Sequence, residues 1–447
     1  MGEKALIIDP KPFLITNRQV LAIAIPMTIA SITTPLVGLV NVAVVGRYGD
    51  AASFGGLAAG AVIFDVILVS FNCLRSGTSG LVAQCSGTGD ALEERAVFLR
   101  AFLLASLSGL ALVLLSPVIA TTCEWFMNTE RTLTAAMDTY IRIRLISAPA
   151  ALINYAIAGY FVGRADTRVA LFLQLLLNGG NIALSTFLGA YLGWGIAGVA
   201  WAATCAEVAA LIAGVFIVVS RFRAMPRIPP RHTFNVAALR SMLRLNADLM
   251  IRSFVLMLAY FMFTRESAQF GTLTLAANAV LMHFFLLADY FLGGFATAAQ
   301  QLVGYATGAG DKTAFLRVTR LTTAWGFVVA GFASILVCAF GEYFVSAITT
   351  APDVRAEAVS YLAWAIFIAP SGVLAFQMTG VFVGAAWSRE IRNVTLISFI
   401  IYITALFYFG REFGNDGLWA AYHLFLLIRG LGLVLVMQHC VHREFAE

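Results

Sequence analysis

Apolar residues run through this chain in long blocks separated by short polar intervals. The blocks cover approximately 19–46, 54–84, 98–126, 133–162, 168–190 and 193–220, and after a polar interval approximately 245–265, 272–306, 318–348, 356–384, 391–410 and 416–438. Many reach the roughly 20 residues that cross a bilayer as a helix. Loose strands are excluded from lipid because their backbone groups would go unbonded there. The pattern therefore predicts an all-α polytopic membrane protein with about twelve transmembrane helices.

Composition agrees. Hydrophobic residues make up 60% of the chain and charged residues 12%, about half the charge that keeps a water-soluble surface wet. The first block is too long for a signal-peptide core and no small-residue cleavage site follows it, so it is expected to be retained. Nineteen Lys and Arg, from Lys4, Lys11 and Arg18 through Arg227 to Arg443, fall at one set of helix ends. Seven fall at the other: Arg47, Arg131, Arg142, Arg144, Arg265, Arg355 and Arg411. By the positive-inside rule both termini are cytoplasmic, in a multi-pass protein of the plasma (inner) membrane. The net charge of +5 is then an orientation signal, and no basic stripe with interleaved aromatics suggests a nucleic-acid partner. The six cysteines show no CxxC or Cys/His ligand spacing, so no metal site and no disulfide framework are expected.

The chain also repeats itself. "GYFVGRADTR" (159–168) is echoed by "GVFVGAAWSR" (380–389), and "GLVAQCSGTGD" (80–90) by "QLVGYATGAGD" (301–311), both at a shift of 221 residues. "LAAGAV" (57–62) recurs as "LAANAV" (275–280), and Ala-Pro at 148–149 recurs at 369–370. The proline-rich, polar stretch 221–240 sits at the midpoint and reads as a cytoplasmic linker. Two pseudo-symmetric six-helix bundles follow, 1–220 and 244–447, joined by a linker at 221–243. An even number of crossings per half makes the repeats parallel, and two such bundles can rock about a central cavity, the logic of a secondary transporter.

"AIAIPMTIASITTPLVGLVNVAVVGR" (22–47), "LRSGTSGLVAQ" (74–84), "GWGIAGVAWAAT" (193–204), "LAANAVL" (275–281) and "GGFATAAQQLVG" (293–304) together resemble the multidrug and toxic compound extrusion (MATE) transporters, particularly the DinF-like branch. The resemblance covers essentially the whole chain. It implies twelve helices in two bundles and export of organic, often cationic or amphipathic, compounds against an inward flow of protons or sodium.

Ion coupling needs a group that changes charge in a low dielectric, a task that suits buried carboxylates. Asp65, Glu207, Asp248 and Asp289 lie inside apolar blocks. Asp248 and Arg252 are four residues apart, on one helix face, where they could pair; the pair is either a bridge that opens on proton binding or a permanent one. The DinF-like pattern carries an acid at the position of Gly293 and a Glu at that of Gln300. Asp289, one turn before Gly293 on the same face, is expected to stand in for the displaced acid. The resemblance also places an Asp where this chain has Asn41, and another at Ser185. Asn41, Asn181, Ser185 and Thr204 are then expected to form a neutral hydrogen-bonding cluster that cannot titrate, shifting coupling to the second half. Pro26 is implied as a hinge, with a static kink as the alternative. Arg75 is expected to meet Asp65 or a helix-end carbonyl, and Arg429 is left without a role. Aromatic and Met residues such as Phe64, Tyr260, Phe284 and Tyr290 are candidates for the cavity wall.

The expected function is secondary active efflux by cation antiport, with proton favoured over sodium and no other cofactor. A monomer in contact with membrane lipid and a small organic substrate is expected. A flippase for lipid-linked or amphiphilic substrates and an uncoupled descendant of the family are the alternatives; the flippase would want a basic cavity, and only Arg75, Arg252 and Arg429 lie at membrane depth. No HExxH, GxSxG or clustered His/Asp set suggests an enzyme.

Overall fold

The structure is a computed structural model that describes residues 15–48, 51–127, 130–223, 225–226 and 228–446. Lys4, Lys11 and Arg227, counted above for orientation, lie outside these, as does the side chain of Arg47. Among the described residues there is no strand.

The first block is one helix, α1 (Asn17–Tyr48). The second breaks at Phe71-Asn72 into α2 (Ala51–Ser70) and α3 (Cys73–Thr88). The third breaks into α4 (Ala91–Leu114) and α5 (Ser116–Met127), just before Pro117. The fourth divides at Ser147 into α6 (Arg131–Ile146) and α7 (Ala148–Gly163), bent by 51° just before Pro149. At both breaks a proline lacks the N–H that would continue the ladder and crowds the preceding turn. α8 (Thr167–Leu184) runs into a π-helical turn, Ser185–Tyr191, and α9 (Gly195–Phe222) ends the first half. A short α10 (Pro230–Thr233) lies in the linker. The second half holds α11 (Val236–Gln269), α12 (Thr272–Gly308), α13 (Lys312–Ile348), α14 (Pro352–Ser360), α15 (Leu362–Gly384) and α16 (Ser388–Glu444). α16 joins the last two expected spans across a kink at Gly414, whose φ of 58° and ψ of −133° suit only glycine.

The helical segment α11 begins inside the interval assigned to the linker. Asn235 caps it there, its Oδ1 accepting from the N–H of Ala237 at 2.9 Å and of Ala238 at 3.3 Å. The remaining linker is pinned to α4: Arg100 donates to the carbonyls of His232 (2.7 Å) and Thr233 (3.0 Å), and Arg95 to that of Pro226 (2.9 Å).

The repeat seen in the sequence is a repeat of geometry. Gly159 packs against the Arg75 carbonyl and Gly380 against that of Ala296; Gly163 packs against the Ser79 carbonyl and Gly384 against that of Gln300. Every member of the second set is its counterpart plus 221, and a Cβ at any of these glycines would strike backbone. The corners that follow match too. Ala165 and Ala386 both adopt positive φ, 60° and 58°. Asp90 and Asp311 each cap the helix after the other repeated phrase, accepting from Glu93 and Ala314 N–H groups. Arg168 and Arg389 close the echoed phrase as exposed side chains. The echo thus preserves close helix packing and a tight corner, which small residues allow.

Candidate substrate and coupling site

Arg252 and Asp289 lie at the midpoints of α11 and α12, and Arg429 lies midway between the Gly414 kink and the end of α16. With Arg75 of α3 they converge between the two halves. The Asp289 carboxylate feels the charges of Arg429, Arg252 and Arg75. Arg252 and Arg429 repel one another, Arg75 is coupled to Tyr155, and Tyr422 to both Arg429 and Asp289. Despite this proximity, none of the four charged side chains closes an ion pair among the described residues. Their one hydrogen bond is a long contact, 3.5 Å, from Arg252 Nη2 to Thr379 Oγ1. The Nε groups of Arg252 and Arg429 are buried without an acceptor. Arg429 is 4% exposed, and its guanidinium lies over the Phe376 and Phe425 rings at 5.8 and 5.7 Å.

These groups line the floor of a cleft. Asp289, Arg75 and Arg252 are only half-buried although they sit deep among helices, and a Cβ on Gly293 would meet open space. Asp65, well inside α2, is exposed. In the opposite direction the halves are sealed: Gln84 Nε2 donates to the Gly384 carbonyl and Gln300 Nε2 to that of Ser76, both at 2.9 Å. The cleft therefore opens toward the ends where α2 and α12 begin.

Several expectations are corrected. Asp248 does not pair with Arg252; it is bound by Arg392 of α16 and by Ser388 Oγ at 2.8 Å, near the start of α11 and away from the cleft. Arg252 points to Thr379 instead. Glu207 is held by Arg144 at 2.7 Å, with both side chains buried, so Arg144, in the last turn of α6, is an interior partner and not a charge at a solvated membrane face. Asp65 feels the charge of Arg144, whereas Arg75 lies near Tyr155 and Asp289. The neutral cluster forms only in part. Ser185 Oγ donates to Asn181 Oδ1 at 2.9 Å at the π-helical turn. Thr204 spends its hydroxyl on the Ala200 and Ile143 carbonyls, and Asn41 Oδ1 has no donor. Gln300 belongs to the seal. Phe64 lies buried under the Arg144 guanidinium, 4.2 Å away, and Phe284 packs on Phe344, so neither forms the cleft wall. Around Pro26, the Ala22 carbonyl that the proline cannot engage accepts from Thr167 Oγ1 at 3.3 Å.

Sequence reasoning missed Tyr155, Tyr422, Thr379 and the role of Arg429. One signal was available. Setting aside bases at helix ends leaves Arg75, Arg252 and Arg429, and an intramembrane charge marks a functional site by default.

The MatE family model matches residues 26–187 and 249–407, most of both halves. The chain belongs to the MATE family. It is 31% identical over 420 residues to the DNA damage-inducible protein F of Escherichia coli, covering 93% of this chain and 90% of that protein. It is 22% identical over 345 residues to a probable multidrug resistance protein NorM of Thermotoga maritima, covering 76% and 73%. Among solved structures, an outward-facing multidrug resistance MATE family transporter aligns with a TM-score of 0.86 at 17% identity, covering 95% of this chain and 96% of that one. A transporter of the same superfamily from Pyrococcus furiosus aligns with a TM-score of 0.87 at 17% identity, covering 96% and 97%. At that identity the likeness carries the fold. The MATE chain is accordingly a multi-pass efflux transporter of small organic substrates and not an enzyme.

Proposed function

We propose that this MATE transporter exports amphipathic organic compounds by alternating access and proton antiport, with Asp289 as the group that takes the proton. The observation that carries the reading is a mid-depth carboxylate in the cleft between the halves that has no ion pair among the described residues. Asp248 and Glu207 are spent on Arg392 and Arg144. A carboxylate that holds a basic or hydrogen-bond-donating compound must release it on taking a proton, and that exclusion is antiport. Proton is preferred to sodium because three neighbours of Asp289 are guanidinium groups, which repel a metal cation, and its oxygen-bearing neighbours are the phenols of Tyr290 and Tyr422, too few to build a cation cage. Both termini are cytoplasmic, so the cleft opens outward, and the monomer is the working unit.

The flippase reading gains from one observation, the gathering of three membrane-depth arginines, Arg75, Arg252 and Arg429, at one site. The test is transport in proteoliposomes under separately imposed proton and sodium gradients. Asp289→Asn is expected to abolish substrate-induced proton movement; undiminished movement would remove Asp289 from the mechanism.

A further inference from the structure

The cleft floor carries three guanidinium groups and one carboxylate, a local charge of +2 with Asp289 ionised. Arginines at membrane depth are costly unless paired, yet among the described residues each lacks a carboxylate partner within ion-pair distance. Asp289 could neutralise only one of them. Arg252 and Arg429 stand close enough to repel, an arrangement that lowers the stability of the empty site and that an anion between them relieves. Arg429 is the most deeply placed, with its Nε unbonded and its guanidinium over Phe376 and Phe425. A planar fork of N–H donors beside aromatic rings suits a carboxylate, sulfonate or phosphate attached to an apolar body. Elsewhere the buried carboxylates already hold their bases: Glu207 holds Arg144 and Asp248 holds Arg392.

From this we infer that the cargo carries an acidic group, bound in the cleft by Arg75, Arg252 and Arg429. The inference rests on the proposed reading of the cleft as the substrate site. A basic or donor group elsewhere on the same molecule is free to meet Asp289, which keeps the proton exchange proposed above. The cargo class is thus an amphipathic organic acid or zwitterion, in contrast to the simple cations that the family resemblance implies.

Two probes with one ring system and opposite heads test this: pyrenebutyrate and pyrenebutyl-trimethylammonium, titrated against the purified, detergent-solubilised protein by fluorescence. The carboxylate is expected to bind at least about tenfold tighter than the cation, and Arg429→Met or Arg252→Met to weaken it by roughly ten- to a hundredfold, the range for charge-assisted hydrogen bonds. Arg252→Lys, which keeps the charge and loses the fork, should recover part of the loss. Asp289→Asn should tighten the carboxylate and weaken the cation. Equal or tighter binding of the cation, or weaker carboxylate binding in Asp289→Asn, overturns the inference. Because binding is read without any gradient, this outcome is independent of whether protons are coupled. To separate the sources of the acid, vesicles reconstituted with the protein are assayed for flipping of fluorescent phosphatidylglycerol against phosphatidylcholine. Selective flipping of the former assigns the site to a lipid headgroup, and no flipping with carboxylate binding intact assigns it to a free amphipathic acid.

Discussion

The two halves share a backbone design and part company in how they treat buried charge. In the first half Arg144 and Glu207 close on each other at 2.7 Å, with side chains 8% and 7% exposed, and Arg144 is stacked over Phe64. In the second, Asp289 faces Arg252 and Arg429 without closing on either, and Arg75 joins them from across the interface. A closed pair has exchanged its hydration for a partner inside the protein and is then part of the scaffold. Charges held near one another but apart keep unspent hydrogen-bonding capacity, which a ligand or a proton can use. Duplication therefore supplied two similar shells, and the placement of a few charged side chains made the second the more receptive, with Arg75 the first half's contribution to its cluster.

The largest expected effect falls on the receptive half. Asp289→Asn should lose coupled proton flux, and adding Gly293→Asp in that background should restore part of it, because the Gly293 position opens into the cleft. Proton movement in proteoliposomes measures both; failure of the second substitution to rescue would mean that the carboxylate's exact place on α12 matters more than its presence. Next, Glu207→Leu leaves Arg144 buried without its partner and is expected to cost about 3–5 kcal/mol. The double replacement Glu207→Met with Arg144→Met should recover most of that, read as thermal unfolding in detergent. If Glu207→Leu were harmless, the contrast between the halves would collapse.

Smaller effects test where the halves are alike. Gly163→Ala and Gly384→Ala each push a methyl group into a backbone carbonyl, that of Ser79 or Gln300. Each should cost about 1–3 kcal/mol, and the two losses of thermal stability should be similar. Asp248→Asn, toward the start of α11, removes the charge bound by Arg392 and Ser388. We expect a loss of about 1 kcal/mol, since Arg392 is 29% exposed and solvent takes up part of the difference. Its proton coupling should remain intact. The smallest change is expected for Asn41→Asp: the residue lies outside the arginine cluster, and the pH dependence of transport should stay as it was.

Much of the fold was legible in the sequence. Block length and the repeat at 221 residues gave the helices and the halves, because crossing a bilayer and packing helix on helix impose local demands that each segment must meet by itself. The breaks at Pro117 and Pro149 follow from the same local chemistry, although the helical start at Val236 was missed because a single capping Asn235 outweighed the polar composition around it. The site was legible only as a set of residues that do not belong in lipid: four acids and three arginines.

Which acid meets which base was decided by tertiary structure. Asp248 lies four residues from Arg252, within easy reach on one helix face, yet it binds Arg392, 144 residues away. Arg75 comes near Asp289 of the other half without pairing with it, and Arg144, placed by its sequence position at a helix end, meets Glu207. An ion pair needs its charges within about 4 Å, and spacing along one helix is only one of the ways to bring them there. The other is the contact of helices remote in sequence, which no periodicity records. Segment by segment, the chain dictates that it crosses the membrane; the packing of its two halves dictates that Asp289 and three arginines share one cleft.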